Sequence, residues 1–191
     1  MSELEQLTLL FEEYVDSSDN PDINFDIALE YERLGQRASA ITFFLRAAEY
    51  GYESAPNIVY VSLLRVGLNL EALTNRDFAV SNSYLHALAY QPNRPEAYFL
   101  LSRHYEHTKA WQESYTLAIM GQQYSQFRPE PTLADVEYRG LYCLIFQQAV
   151  AAWWVGRKDE AKSLFQNLLE HHEMESKYVE SCKSNLQLWN S

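Results

Sequence analysis

The sequence predicts an all-α chain assembled from consecutive helical hairpins. Apolar residues recur every three or four positions along nearly the whole chain, the spacing of one helix face. Glycine and proline are scarce, six of each in 191 residues, so few positions interrupt a helix. Small and large side chains also alternate at matching offsets in several stretches, as stacked copies of one hairpin require.

A first helix is expected over residues 2–16, with Leu4, Leu7, Leu10, Phe11 and Tyr14 as its apolar stripe. It stops in "DSSDNPD", where Asn20-Pro21 disfavours continuation. In "INFDIALEYERLGQRASAITFFLRAAEYG" one helix closes at Leu34-Gly35 and a second starts at once, Gly35 suiting the left-handed C-cap. Ala28, Ala40 and Ala47 mark the close approach of the two helices, while Tyr31 and Phe44 supply bulk between layers. The stretch "RPEAYFLLSRHYEHTKAWQESYTLAIMGQQY" repeats the scheme with Ser102, Ser114 and Gly121 as small residues and Tyr98 and Tyr105 as large ones. A third copy lies in "LIFQQAVAAWWVGRKDEAKSLFQNLLEHH", with Ala149, Gly156, Ala161 and Phe165. Residues 57–92 form a further unit around Gly67, whose turn "LTNRDF" carries an extra residue. Pro129 and Pro131 mark a loop ahead of a long helix, and a last helix is expected over residues 176–189.

These residues resemble the tetratricopeptide repeat, a helix–turn–helix unit of about 34 residues. The resemblance implies a right-handed α-α superhelix of about four hairpins, at residues 21–55, 56–93, 94–127 and 132–172, between capping helices at 2–16 and 176–189. One repeat domain would then span residues 1–191. Asn24 and Ala118 depart from the large residues that the repeat places at their positions. In that family the first helix of each hairpin lines a concave groove. Carried over position by position, the groove residues are Asp22, Phe25, Leu29 and Glu32, then Glu96, Phe99, Arg103 and Glu106, then Cys143, Phe146, Val150 and Trp153. In the second unit they are Leu64, Leu68 and Glu71. A surface mixing apolar anchors, carboxylates and one Arg suits a peptide or protein partner with apolar side chains and a basic group. It lacks the run of Lys and Arg that clamps a C-terminal carboxylate.

A narrower likeness covers residues 94–189. "RPEAYFLLSRHY", "VEYRGLYCLIFQQAVAAWWVGRKDEAKSLFQNLL" and "SNLQLW" resemble the helical repeat region attached to some family 2 glycosyltransferases of bacteria and viruses. That implies an accessory module with the catalytic domain elsewhere, because this chain has no Asp-x-Asp motif and no strand pattern to carry one.

Composition narrows the function. Hydrophobic residues make up 47% of the chain, far too many for a disordered one. The formal charge of −11 repels phosphate backbones and anionic membranes, so neither nucleic acid nor membrane is expected as partner. Only Cys143 and Cys182 occur, the N-terminus lacks a basic signal region, and no apolar run approaches the ~20 residues that span a bilayer. A cytoplasmic chain is the reading. Met1 followed directly by a helix favours an intact small protein.

Sites of chemistry find little support. "DSSDNPD" lacks the Gly and the twelfth-position Glu of a calcium loop, that position being Ile27. His104 and His107, or the adjacent His171 and His172, do not make a four-ligand zinc set. Cys143 sits in the apolar "GLYCLIF", Glu12-Glu13 on a solvated helix face, and nucleophile-elbow, phosphate-loop and dinucleotide motifs are missing. Trp153 and Trp154 point about 100° apart, so at most one faces a given layer. The expectation is a non-enzymatic scaffold without cofactor or metal, which binds a protein or peptide or associates with itself.

Overall fold

The computed structural model describes residues 3–126 and 131–189, and within the first helix the side chains from Glu5 onward. The expected helix start at Ser2 and the loop residue Pro129 lie outside the described residues, and nothing is said of the Leu4 side chain. Ten helices and no strand occur among the described residues: α1 (Glu3–Asp16), α2 (Pro21–Arg33), α3 (Arg37–Gly51), α4 (Pro56–Glu71), α5 (Asp77–Tyr90), α6 (Pro95–His107), α7 (Trp111–Gln122), α8 (Leu141–Trp154), α9 (Lys158–His171) and α10 (Ser176–Gln187). They form two compact units. One holds α1–α5 together with residues 131–136, and the other holds α6–α10 with residues 137–140.

The hairpin turns share one local solution. Gly35, Asn75, Lys109 and Gly156, between the two helices of successive hairpins, all have positive φ. In three of them the residue after the left-handed one donates its N–H five residues back: Gln36 to Tyr31, Ala110 to Tyr105, and Arg157 to Ala152, each at 2.8 Å. This long bond closes a Schellman cap and satisfies a carbonyl the helix leaves open. The α4–α5 turn lacks it, in keeping with its extra residue.

In the first unit, the departure at Asn24 has a physical reason. The side chain is buried, donates to Ser18 O (3.0 Å) and Asn20 O (2.7 Å), and accepts from Arg46 Nε (3.1 Å). It therefore ties the α1–α2 turn to α3, where an aromatic residue would only fill space. Ala28, Ala40 and Ala47 are fully buried, and α1 docks through Phe11 and Tyr14 onto Phe43, which stacks on Tyr31 at 5.5 Å. Gly67 is required by close approach: a Cβ there would stand 2.1 Å from the Tyr84 ring of α5.

In the second unit the small residues meet as a polar pair, Ser102 Oγ donating to Ser114 O at 2.8 Å. A Cβ on Gly121 would meet Tyr98 at 2.6 Å and Leu144 at 2.9 Å. Residues 131–140 are irregular, and α8 starts only after Gly140 at φ +129°, so it is no longer than the other helices. Helix α10 covers the last apolar surface. Cys182 joins Ile145, Ala149, Phe165 and Leu168 in one core, while Tyr178 and Trp189 meet Phe146 and Trp153 edge-on. No helix of the described residues is long and apolar enough to cross a membrane.

Candidate functional site

The first helices of the hairpins, α2, α4, α6 and α8, carry the expected groove residues, and the two units hold them differently. In the first unit, Glu32 of α2 is fixed by α4. Arg65 reaches its carboxylate with both Nε (3.0 Å) and Nη2, and Asn69 Nδ2 donates to the other oxygen at 2.6 Å. Arg37 Nη1 donates to Asn69 Oδ1 at 3.3 Å. The Glu32 side chain is 13% exposed, so the ion pair is shielded from bulk screening. Phe25 is buried edge-on against Phe44 (5.7 Å), and Leu29 is half-buried. Of the residues expected on α4, Leu64 is buried, Leu68 half-buried and Glu71 exposed.

Arg65, Asn69 and Asn57 are therefore the functional candidates that the repeat pattern missed. Gly67 faces α5, and residues two positions to either side point nearly opposite on a helix. That geometry aims Arg65 and Asn69 away from α5. A signal was available: they are the polar pair spaced i, i+4 inside the apolar "VYVSLLRVGLNLE". These side chains also hold main chain. Asn57 Nδ2 donates to Pro131 O at 3.3 Å, and Arg65 Nη1 donates to Asp135 O.

In the second unit, Phe99 and Arg103 of α6 stand together, the guanidinium 5.7 Å over the ring. Arg103 is ion-paired with Glu137, and Phe99 packs on the Tyr138 ring at 5.7 Å. Phe99 is only 1% exposed, whereas the Arg103 side chain is 27% exposed. Burial pushes the Glu106 carboxyl up, against the smaller opposing pulls of the Gln147 hydrogen bond, Arg103 and His107. Glu96 is buried and paired with Arg94 at 2.9 Å. Burial likewise raises the Tyr138 hydroxyl, with Cys143 and Glu96 adding to it.

The α8 residues lie under α10. Phe146 contacts Phe165 and Tyr178, and Trp153 meets Trp189 at 4.6 Å with Lys158 Nζ on its face. Trp154 turns outward and stacks on Trp111 of α7 at 5.0 Å. A cleft beside it is lined by Val150, Trp153, Trp154, Phe165, Asn185, Leu188 and Trp189. The Cys143 thiol is buried and raised by that burial, although the Tyr178 and Tyr142 hydroxyls hydrogen-bond it. A thiol held in that form is a poor nucleophile. His104 is buried while His107 is exposed, so the pair does not converge.

Comparison with solved structures places the fold. The chain is similar to YrrB, a TPR protein with an unusual peptide-binding site, at 11% identity over 93% of this chain and 81% of that one, with a TM-score of 0.66. MamA of Desulfovibrio magneticus RS-1 matches at 14% identity over 88% and 85% of the two chains, also with a TM-score of 0.66. PilF of Pseudomonas aeruginosa matches at 10% identity over 92% and 71%, again with a TM-score of 0.66. The fold is accordingly a helical-repeat solenoid of the tetratricopeptide type. No protein-family model matches the chain, and no curated protein is similar to it. The likeness of residues 94–189 to glycosyltransferase-attached repeats therefore has no support among these comparisons.

Proposed function

We propose that this chain is a non-catalytic interaction module whose first-helix faces bind a peptide or protein partner. One observation carries the reading: on α4, Asn57 and Arg65 already hold peptide carbonyls with side-chain N–H groups, and Arg65 is oriented for it by Glu32. A side chain fixed beforehand loses little entropy on binding, which is how a preorganised receptor gains affinity. In the first unit, Leu29 on α2 adds an apolar contact, with Phe25 as buried floor. In the second unit, the candidates are Arg103 and Glu106 on α6, with Phe99 as floor, while Phe146 and Trp153 of α8 are covered by Tyr178 and Trp189 and do not join them. The fold has precedent for such a role in YrrB, whose peptide-binding site belongs to that protein.

The test is a peptide array of varied charge and apolar content, followed by fluorescence anisotropy on the hits. Arg65→Ala and Arg103→Ala are the probes, checked for retained helicity. Phe99→Ala is unsuited, because removing a ring that is 1% exposed would cost about 3–5 kcal/mol by itself. At least tenfold weaker binding by either Arg variant is expected. Equal binding by both variants, or no binding to any peptide, refutes the reading.

A further inference from the structure

Helix α5 buries one face and leaves an uncharged one in solvent. Val80, Ser83, Tyr84 and Ala87 are buried, Ser83 Oγ donating to Leu63 O of α4 at 2.7 Å. The opposite face carries Phe78, Asn82, Leu85 and Ala89, at intervals of four, three and four residues. All four are exposed, Phe78 at 80% and Leu85 at 42%. Those intervals are the a/d seam along which one helix packs on another. The seam has no charged border, because no Asp, Glu, Lys or Arg occurs from residue 78 to residue 93. At that exposure the Phe78 side chain keeps roughly 120–200 Å² in water. An uncharged stripe around a ring so exposed marks an interaction surface.

We propose that this face of α5 is a homodimer interface, formed by antiparallel pairing with α5 of a second copy. The seam is complementary to itself. With a two-fold axis midway between Ser83 and Tyr84, Phe78 lies across from the second copy's Ala89, and Asn82 across from its Leu85. Along the borders, Ala79 runs beside the second copy's His86 and Ser81 beside its Leu88. Each of these contacts occurs twice, as an isologous interface requires, and each sets a smaller side chain against a larger one. Charge is compatible with the pairing. Each chain carries −11, so two copies repel over most of their surfaces, whereas no carboxylate enters any of these contacts. The helix of 14 residues offers a strip of about 21 Å by 10 Å. Two such strips bury less than the about 1,200 Å² of stable complexes. The dimer is accordingly weak, with a dissociation constant above about 1 µM. Helix α5 is the second of its hairpin, so this surface is separate from the first-helix faces proposed to bind a partner, and either proposal can fail alone.

Sedimentation equilibrium of the full chain from about 5 to 500 µM covers the affinity expected. The mass should rise from one chain towards two across that range. A single-chain mass at the highest concentration overturns the proposal and leaves the face to a different partner. Phe78→Ala removes an exposed ring and should leave the melting temperature unchanged, yet weaken the dimer at least tenfold, because the ring is lost from both copies. A dimer indifferent to this change overturns the proposal. The pairing itself is read by oxidation of two further proteins, Phe78→Cys and Ala89→Cys. Mixed together, they should form a disulfide-linked pair, and one Phe78–Ala89 contact survives in that pair. Either protein alone should not, since the two-fold axis sets like positions about 16 Å apart along the helices, beyond the reach of a disulfide. Equal cross-linking in the separate proteins and in the mixture would overturn the antiparallel register.

Discussion

Gly67→Ala is a test in which two known effects oppose each other. Inside a helix, Ala for Gly normally stabilises by about 1 kcal/mol. Here the added Cβ would stand 2.1 Å from Tyr84 Cε1, 2.6 Å from Cδ1 and 2.7 Å from Cζ. Carbon atoms rest at about 3.5–4.0 Å, so the ring, or α5 with it, must retreat by about 1.5 Å. Tyr84 is fully buried and cannot swing into solvent. Overpacking of this kind costs about 3 kcal/mol at the upper end of its usual range. The net loss is then about 2 kcal/mol, or about 4–8 °C in Tm for a chain of this length. Urea denaturation followed by circular dichroism reads it directly. Adding Tyr84→Leu to the Gly67→Ala variant should recover part of the loss through a favourable coupling. A midpoint equal to or above that of the unaltered chain, or an absence of coupling, would refute the packing of Gly67 on Tyr84. The orientation of Arg65 and Asn69 would fall with it.

Three further outcomes are expected. Arg65→Ala leaves the Glu32 carboxylate with Asn69 as donor and should cost about 2 kcal/mol, Arg65→Lys recovering less than half because an ammonium cannot reproduce the fork; denaturation midpoints of the three proteins decide it. Lys109 and Gly156 occupy the same left-handed turn position, with no atom within 4 Å of a Cβ at Gly156. Gly156→Ala should therefore lose about 1–2 kcal/mol from backbone strain alone, and Lys109→Gly should gain about 0.5 kcal/mol after its own entropy cost, both read as Tm shifts. The Glu106 carboxyl has a raised pKa in the folded chain, so its ionised form costs stability above that pKa, and the cost fades as pH falls through it. Glu106→Gln should melt higher than the unaltered chain at pH 7, and the two should converge near pH 4, where the carboxyl is protonated in both states.

Helix periodicity and the small–large alternation were sufficient to expect hairpins, because both follow from local geometry. Gly35 and Gly156 announced their turns, since their φ values of +72° and +85° favour glycine. Lys109, which adopts the same conformation with a side chain, did not. The candidate surface was legible only in part. Offsets taken from the repeat named Leu64 and Leu68 but not their neighbours Arg65 and Asn69, which make the polar contacts of α4 with Glu32. Phe146 and Trp153 lie on α8, and their ring partners Tyr178 and Trp189 come from chain 32 and 36 residues further on, which no local pattern reports. The return of residues 131–136 to α4 is likewise a long-range contact, and only the two prolines hinted that this stretch would not be helical.

That return has a consequence for the order in which the protein is made. Asn57 and Arg65 meet carbonyls 74 and 70 residues further along the chain. At about 5–20 residues per second, a ribosome needs roughly 2–9 s to pass from Pro92 to Val136. Helices form within microseconds, so α1–α5 have time to pack long before their last piece exists. Every newborn molecule thus passes through a stage, lasting seconds, in which the α4 surface is folded and uncovered. A partner present at the site of synthesis would meet Asn57 and Arg65 before the carbonyls of Pro131 and Asp135 had been made.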